Sequence, residues 1–376
     1  MSSDLKAPTT ETGECRISIA REFFTEQLPL IVMTFAAGLG AAYLQHGIVP
    51  GGDVAFPVAG VRVPIWHLVW LGVWTGYTLA LVGEASGIFA LPYTMSVLQF
   101  SSPAVSPTTQ ILTLFNPLGA LFGFRRNRQW NLDFALWVCV GGAAGALIGP
   151  FIRLTLLSDV KPFTFVVGLA LVFVGGHLCI AAIRGFLSRH SGVGIDARFR
   201  AQAQAQRAAG RAPAGVPPGT PIETVSKGRD HITIGFWGET WTVRPSTLFI
   251  IGFGVGIISS ALGVGGGFLL VPILAMLYHL PMYVVVAATI PYVIVLSLVA
   301  LITYSGIVPA ITGISIAPEW AWGLFAASGG ILGSWAAAKT QRFVPEYFLK
   351  VMLGAITSIA GLLYVLDMFV DLPFKL

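Results

Sequence analysis

Charged side chains are scarce in this chain. They make up 10% of its 376 residues, whereas 55% of the residues are hydrophobic and the mean hydropathy is +0.79. This composition excludes an ordinary soluble domain and indicates an integral membrane protein whose partner is the lipid bilayer. The sequence also lacks a basic face with interleaved aromatic residues, so the net charge of +5 does not indicate nucleic-acid binding.

Cysteines are few, and histidine motifs and catalytic groupings are lacking. The three cysteines, Cys15, Cys139 and Cys179, lie far apart, which argues against a disulfide framework or a zinc site. The six histidines show no H-x-x-x-H or H-E-x-x-H spacing. Within the apolar runs, no Ser, His and Asp order and no pair of carboxylates supports a fixed active site. We therefore expect no metal, no cofactor and no enzymatic activity.

Apolar runs of about 20 residues recur instead, each long enough to cross a bilayer core of about 30 Å. Residues 1–27 are polar and carry both charge signs, unlike a signal peptide, so the first run is a retained extra helix within 28–64, followed by an external loop. We predict an all-α integral membrane protein with helices in 28–49, 65–82, 104–124, 132–152, 163–187, 246–262, 282–305, 319–338 and 345–366.

The basic residues predict the orientation, because short cytoplasmic loops retain Lys and Arg. With the N-terminus in the cytoplasm, most of the 22 basic residues fall in cytoplasmic segments. The predicted external exceptions are Arg62, Arg153, Lys161 and Lys375. We therefore expect a multi-pass protein of the cytoplasmic (inner) membrane.

A polar segment, 188–245, divides the chain and is predicted to be cytoplasmic. Its first half is rich in Ala, Gln, Gly and Pro, which is typical of a flexible linker. Apolar alternation around Gly238 and Glu239 in its second half predicts a β-hairpin. We interpret the segment as a connector, with a regulatory role as the alternative.

The segments on either side of this linker, 65–187 and 246–366, are predicted to be repeats, with 367–376 as a C-terminal tail. A shift of 180 residues aligns GEASGIFALP at 83–92 with GVGGGFLLVP at 263–272. Under the predicted orientation the first repeat begins outside and the second begins inside. The two repeats would then have inverted topology, as in many secondary transporters.

Four further glycines match between the halves at a shift of 188 residues. This shift aligns Gly142 and Gly145 with Gly330 and Gly333. Small residues allow membrane helices to approach closely. We interpret these four glycines as packing residues.

A glycine cluster interrupts one of the most apolar regions of the second repeat, and a broken helix is tolerated only where its backbone is buried in protein or lines a cavity. We therefore predict broken or re-entrant helices. Unpaired N–H groups at the start of the next helix would form an anion-binding end, and close helix packing is the alternative. The candidate binding residues are Gly263, Gly265, Gly266 and Gly267, with Ser86 and Gly87 in the first repeat.

Polar side chains accompany both breaks. Glu84 either caps the first broken helix or carries a coupling proton, because a carboxylate at membrane depth must be paired, protonated or functional. Thr108, Thr109 and Asn116 are candidates for neutral hydrogen bonds to an anion, with 109 and 116 on one helix face. Thr289 is the counterpart of Thr109. Each of these polar residues could instead link two helices.

The second repeat carries a recognisable combination of motifs. GVGGGFLLVP, then VAATIPYVIVLSLVALITYSG, then a GGxxG helix resembles the sulfite exporter TauE/SafE family of anion permeases, over 65–366 in two copies. The first copy departs from the glycine-rich pattern with GEASG. The resemblance implies transport of sulfite, organosulfonates such as sulfoacetate, or related sulfur-containing or carboxylate anions across the cytoplasmic membrane.

Two other classes of function stay open on sequence grounds. A membrane sensor or assembly subunit would use the cytoplasmic linker, and a membrane-embedded enzyme would need a catalytic group. The sequence does not define the substrate, the direction of transport, the coupling ion or the oligomeric state.

Overall fold

The structure is a computed structural model. It describes residues 21, 23–47, 53–82, 86–118, 131–191, 222–236, 239–278, 280, 282–340 and 346–370. Glu84 lies outside the described residues, as do most of the N-terminal tail and much of the linker. The predictions made for them are therefore untested.

Apolar helices make up most of the described chain. Before the linker they are α1 (Leu28–His46), α2 (Ile65–Val82), α3 (Gly87–Pro92), α4 (Val105–Phe115), α5 (Leu132–Thr155) and α6 (Val160–Ser191). After it they are α7 (Pro245–Leu262), α8 (Gly267–Tyr278), α9 (Met282–Ile302), α10 (Val308–Thr312), α11 (Trp320–Thr340) and α12 (Glu346–Asp367). Single π-helical turns occupy Phe23–Gln27, Tyr93–Val97 and Thr303–Ile307.

Five helical segments in the described part of the chain are long and apolar enough to cross a membrane. They are Phe23–Gln45, Leu132–Thr155, Val160–Ile180, Pro245–Leu262 and Ala288–Thr312. Shorter apolar helices, such as Gly87–Val97 and Gly267–Tyr278, follow the two predicted breaks. The predicted class, an all-α membrane protein with broken helices, is confirmed.

The main helix pairs join one half of the chain to the other. In the first half α2 packs along α11 of the second half, and in the second half α7 packs along α5 of the first. The last helices of the two halves, α6 and α12, pack against each other. Two repeats related by a twofold axis would produce this arrangement, while the inverted topology itself stays a prediction.

Glycines bring the backbones of these helix pairs close together. A Cβ atom on Gly72 of α2 would lie 2.7 Å from the backbone nitrogen of Gly330 in α11. A Cβ on Gly145 of α5 would lie 2.8 Å from the backbone nitrogen of Ile257 in α7, and one on Gly333 would lie 2.8 Å from the carbonyl carbon of Val73. These distances leave no room for a side chain, so Gly145 and Gly333 pack as the sequence predicts.

Two small sheets flank the helices. β1 (Asp53–Phe56) and β2 (Val61–Pro64) form an antiparallel hairpin within the segment predicted to be an external loop. In the linker, β4 (Ile232–Phe236) and β5 (Glu239–Val243) form a hairpin at the position that the sequence indicates. A third strand, β3 (Glu223–Lys227), pairs with β4 and was not expected from the sequence.

The linker sheet is attached to the first turn of α5. The Asn131 side chain donates a hydrogen bond to the Thr224 hydroxyl at 3.0 Å, and Lys227 forms an ion pair with Asp133. On the inner face of the sheet, Ile232 and Ile234 are buried. This part of the linker is therefore folded against the helices.

Candidate functional site

The second break is a loop shaped by left-handed glycines. Helix α7 ends at Leu262 because Gly263 adopts φ +83°, and its N–H donates to Ser259 O at 2.8 Å. Gly265 and Gly266 both have φ +78°, and α8 begins at Gly267. Residues that carry a Cβ rarely adopt these backbone angles, so the chain needs glycine at all three positions. We call Gly263–Gly266 the glycine loop.

The glycine loop lies against one face of α4. A Cβ atom on Gly263 would lie 2.6 Å from both the Ser106 Cα and the Thr109 Oγ1, and one on Gly265 would lie 2.9 Å from the Thr113 Cβ. Ser106, Thr109 and Thr113 are spaced three and four residues apart, so they form one stripe along the helix. The loop therefore fits closely against a row of hydroxyl side chains.

The first break meets the glycine loop at the same place. A Cβ atom on Gly87 would lie 2.7 Å from the Val264 Cα and 2.8 Å from the Thr113 Cγ2. Ser86 is 1% exposed, and its hydroxyl has no hydrogen-bond partner among the described residues. The two segments that the sequence aligns at a shift of 180 residues are thus in contact, with Thr113 touching both.

A network of neutral polar groups surrounds this meeting point. The Thr113 Oγ1 lies 3.0 Å from the Ser297 Oγ and 3.0 Å from the Gln110 Oε1. The Gln110 amide donates to Ser259 O at 3.3 Å. The Ser259 hydroxyl is fully buried, lies beside Gly266, and has no hydrogen-bond partner in the described part of the chain.

The start of α8 adds backbone donors to these side chains. The N–H groups of Leu269 and Leu270 both donate to Gly266 O, at 3.3 and 3.0 Å. The N–H groups of Gly267 and Phe268 lie in the first turn of α8, so they have no acceptor within the helix. They give this end of α8 a partial positive charge, which favours an anion. We call Ser86, Gly87, Thr109, Thr113, Ser259 and Gly263–Gly267 the glycine-loop site.

Three predicted residues have their contacts elsewhere. The Thr108 hydroxyl accepts from Glu319 N at 2.9 Å, away from the loop-facing stripe. The Thr289 hydroxyl donates to Val285 O within its own helix. Asn116 faces Gly330, and both of its side-chain polar atoms are buried without a hydrogen-bond partner among the described residues.

Sequence reasoning missed several members of the network. Thr113 continues the stripe one turn after Thr109, so the helical spacing could have found it. Ser259 lies one turn before the glycine loop, which was also a usable signal. Ser297 and Tyr292 belong to α9 and meet the site only through tertiary packing. The Ser297 hydroxyl contacts Thr113, and the Tyr292 ring would lie 2.7 Å from a Cβ on Gly266.

Arg153 requires a correction. The sequence ends the predicted span at residue 152, but α5 continues to Thr155 and Arg153 is 1% exposed. The external side predicted for Arg153 stays a prediction. Its Nε donates to the Ser106 Oγ at 3.1 Å, and its guanidinium carbon lies 3.8 Å from the centre of the Phe163 ring. These partners allow the helix to continue past a charged residue.

The apolar helices, the two breaks and the buried polar network together define a multi-pass membrane protein with an internal polar site. A model of the family described as sulfite exporter TauE/SafE matches residues 68–364. The chain belongs to the sulfite exporter TauE/SafE family, as its motifs indicate. Comparisons with curated proteins and with solved structures gave no match. Membership of this family indicates a membrane transporter of sulfite or a similar small anion.

Proposed function

We propose that this protein is a secondary transporter that moves sulfite or an organosulfonate such as sulfoacetate across the cytoplasmic membrane, and that the glycine-loop site binds the anion. One observation carries the proposal. The two breaks meet at Thr113, beside buried Ser86 and Ser259 hydroxyls that have no hydrogen-bond partner in the described part of the chain. Buried polar groups are normally satisfied, so unpaired ones at a helix start fit a ligand site.

The chemistry of the site suits a sulfur oxyanion. A sulfite or sulfonate group presents three oxygens that each accept hydrogen bonds. Hydroxyl groups and the first N–H groups of α8 are neutral donors, so they replace water around the anion without holding it too strongly to leave. Carboxylates are the related substrates that the same donors could accept.

The polar stripe of α4 suggests a path through the protein. Ser106, Thr109, Thr113 and Asn116 follow one face of the helix, with the glycine loop beside its middle. Asn116 continues this face with two unpaired polar atoms in the described structure. We propose that the anion passes along this face as the two halves move relative to each other.

The exchanged helix pairs support a transport cycle. Rocking of one repeat against the other around a fixed central site is the usual mechanism of transporters with inverted repeats. The N-terminus and the linker would lie in the cytoplasm, and residues 306–318 outside. Reporter fusions in 306–318 test the inverted topology, which would be wrong if these residues were cytoplasmic.

The coupling ion in this proposal is a proton carried by Glu84. This carboxylate lies two residues before Ser86 in the sequence. A carboxylate near an anion site takes up a proton more readily when the anion binds, because the nearby negative charge disfavours its ionised form. The proton and the anion would then cross together.

Uptake of radiolabelled sulfite into proteoliposomes tests the function and the site together. Gly266→Leu should reduce uptake about a hundredfold, since a side chain there strains the left-handed backbone and occupies the approach to α8. Gly254→Leu is the matched control, because a Cβ on Gly254 meets nothing within 4 Å. Uptake by Gly266→Leu at the control level would refute the site, and no sulfite or sulfonate uptake by the unmodified protein would refute the proposed function.

A further inference from the structure

Arg153 is a buried charged residue that the proposed transport cycle does not use. It lies in the last turn of the membrane-spanning helix α5 and is 1% exposed. One nitrogen, Nε, donates to the Ser106 hydroxyl at 3.1 Å. The Phe163 ring covers one face of the guanidinium group. The Nη1 nitrogen is buried and has no hydrogen-bond partner in the described part of the chain.

The guanidinium group lies next to the glycine-loop site. Ser106 connects the two, because its hydroxyl accepts from Arg153 while its Cα would lie 2.6 Å from a Cβ on Gly263. One turn before Arg153, Gly149 packs against the end of α7, where a Cβ would lie 2.8 Å from the Ala261 nitrogen. The last turns of α5 and α7 thus pack together, and a single residue, Ser106, lies between Arg153 and the glycine loop.

The partners of Arg153 leave part of its charge uncompensated. An arginine side chain stays protonated in proteins, and burying a cation is costly unless it is paired and hydrogen-bonded. A serine hydroxyl and an aromatic face stabilise it only partly. The buried Nη1, which has no partner among the described residues, is therefore available to donate a hydrogen bond to an anion.

The shape of the group indicates which anions fit. Guanidinium is a planar fork that binds two oxygens of one oxyanion at once, whereas a lysine ammonium acts as a point charge. With Nε used by Ser106, the fork can offer its Nη nitrogens. A sulfite, sulfonate or carboxylate group can present a separate oxygen to each of two donors, whereas a chloride ion offers a single atom and does not match the fork.

We infer that Arg153 and Ser106 form a charged oxyanion subsite beside the glycine loop, which recognises the negative charge of a sulfite, sulfonate or carboxylate group. The subsite deepens the proposed function and rests on it. The neutral donors of the glycine-loop site bind oxygen atoms, and Arg153 supplies the charge that selects anions over neutral solutes.

Sulfite binding by the full-length protein in detergent, measured by titration calorimetry, tests the subsite. Arg153→Met should weaken sulfite binding at least about tenfold, because it removes the charge while keeping a long side chain. Arg153→Lys should weaken it less, since it keeps the charge and loses the fork. Arg62→Met is the matched control, because Arg62 is exposed on β2, and its affinity should stay within about twofold of the unmodified protein.

Thermal unfolding without anion separates recognition from a purely structural role. If Arg153 awaits an anion, Arg153→Met should unfold at the same temperature as the unmodified protein or higher, because an uncompensated buried charge is removed. A lower unfolding temperature together with unchanged sulfite affinity would overturn the inference. Should Arg153→Met fail to fold, Arg153→Lys with unmodified sulfite affinity and unmodified preference over chloride would overturn it. Absence of sulfite, sulfonate and carboxylate binding by the unmodified protein would instead refute the proposed function.

Discussion

The described parts of the two breaks have different backbone conformations although the sequence aligns them. The second break bends through three glycines with φ near +80°, so its shape depends on the backbone. In the first break, Ser86 has φ −57° and ψ −30°, an ordinary right-handed conformation, and a short helix continues from Gly87 into a π-helical turn. The second break therefore depends on glycines, which have no side chain, whereas the first break contributes the side chain of Ser86.

This difference suggests that the two halves divide the work of the site. The glycine loop lets backbone donors and the stripe of α4 approach each other closely. The first break brings a serine hydroxyl and, in the sequence, the carboxylate of Glu84. In the proposed transporter the site is therefore asymmetric: the second half shapes its backbone, and Glu84 of the first half carries the proton.

The largest effect should come from closing the contact between the breaks. Gly87→Leu places a side chain against the Val264 backbone, which cannot move aside, so sulfite uptake should fall about a hundredfold. Gly176→Leu in α6 is the matched control, because a Cβ there meets nothing within 4 Å. Near-normal uptake by Gly87→Leu in proteoliposomes would mean that only the second break forms the site.

Glu84→Gln should have an intermediate and selective effect. Glutamine keeps the shape and fixes the site in a neutral state, so uptake driven by a pH gradient should fall about tenfold. Exchange of one anion for another needs no proton release and should persist. Liposomes with and without an imposed pH gradient distinguish the two modes, and an equal loss of both would identify Glu84 as a helix cap.

The smallest effects should follow removal of single hydroxyls. Ser86→Ala and Ser259→Ala should each raise the KM for sulfite by about threefold to tenfold, the value of one hydrogen bond of about 1 kcal/mol. Neither should lower the unfolding temperature, because these hydroxyls have no partner among the described residues. A drop in unfolding temperature with unchanged KM would assign the hydroxyls to structure.

Much of the fold could be predicted because a bilayer imposes simple rules on a sequence. Apolar runs of sufficient length locate the helices, and glycine clusters locate the breaks. The same rules end the span at residue 152, just before Arg153, since a charge normally marks the end of a span. Its burial depends on Ser106 and Phe163, which lie on other helices and leave no local signal. The strand β3 was missed because Glu223–Lys227 is mostly polar.

The site could be predicted only in part for a related reason. Sequence spacing identifies residues that share a helix face, but it does not say which face meets the loop. Thr108 and Thr109 are neighbours, yet only Thr109 lies against Gly263, while Thr108 bonds Glu319 N. The face of α4 that meets the loop depends on how several helices pack together, so it cannot be predicted from the local sequence pattern. Partners from distant helices, such as Ser297, are missed for the same reason.

The exchange of helix partners also determines when the protein can finish folding. Helix α2 packs along α11, yet Trp320 follows Val82 by roughly 240 residues. At about 5 to 20 residues per second, a ribosome takes roughly 10 to 50 s to make that stretch. During this time the face of α2 that carries Gly72 and Gly76 meets lipid or the insertion machinery instead of its final partner. The packing of the first half is therefore completed only after α11 has been synthesised.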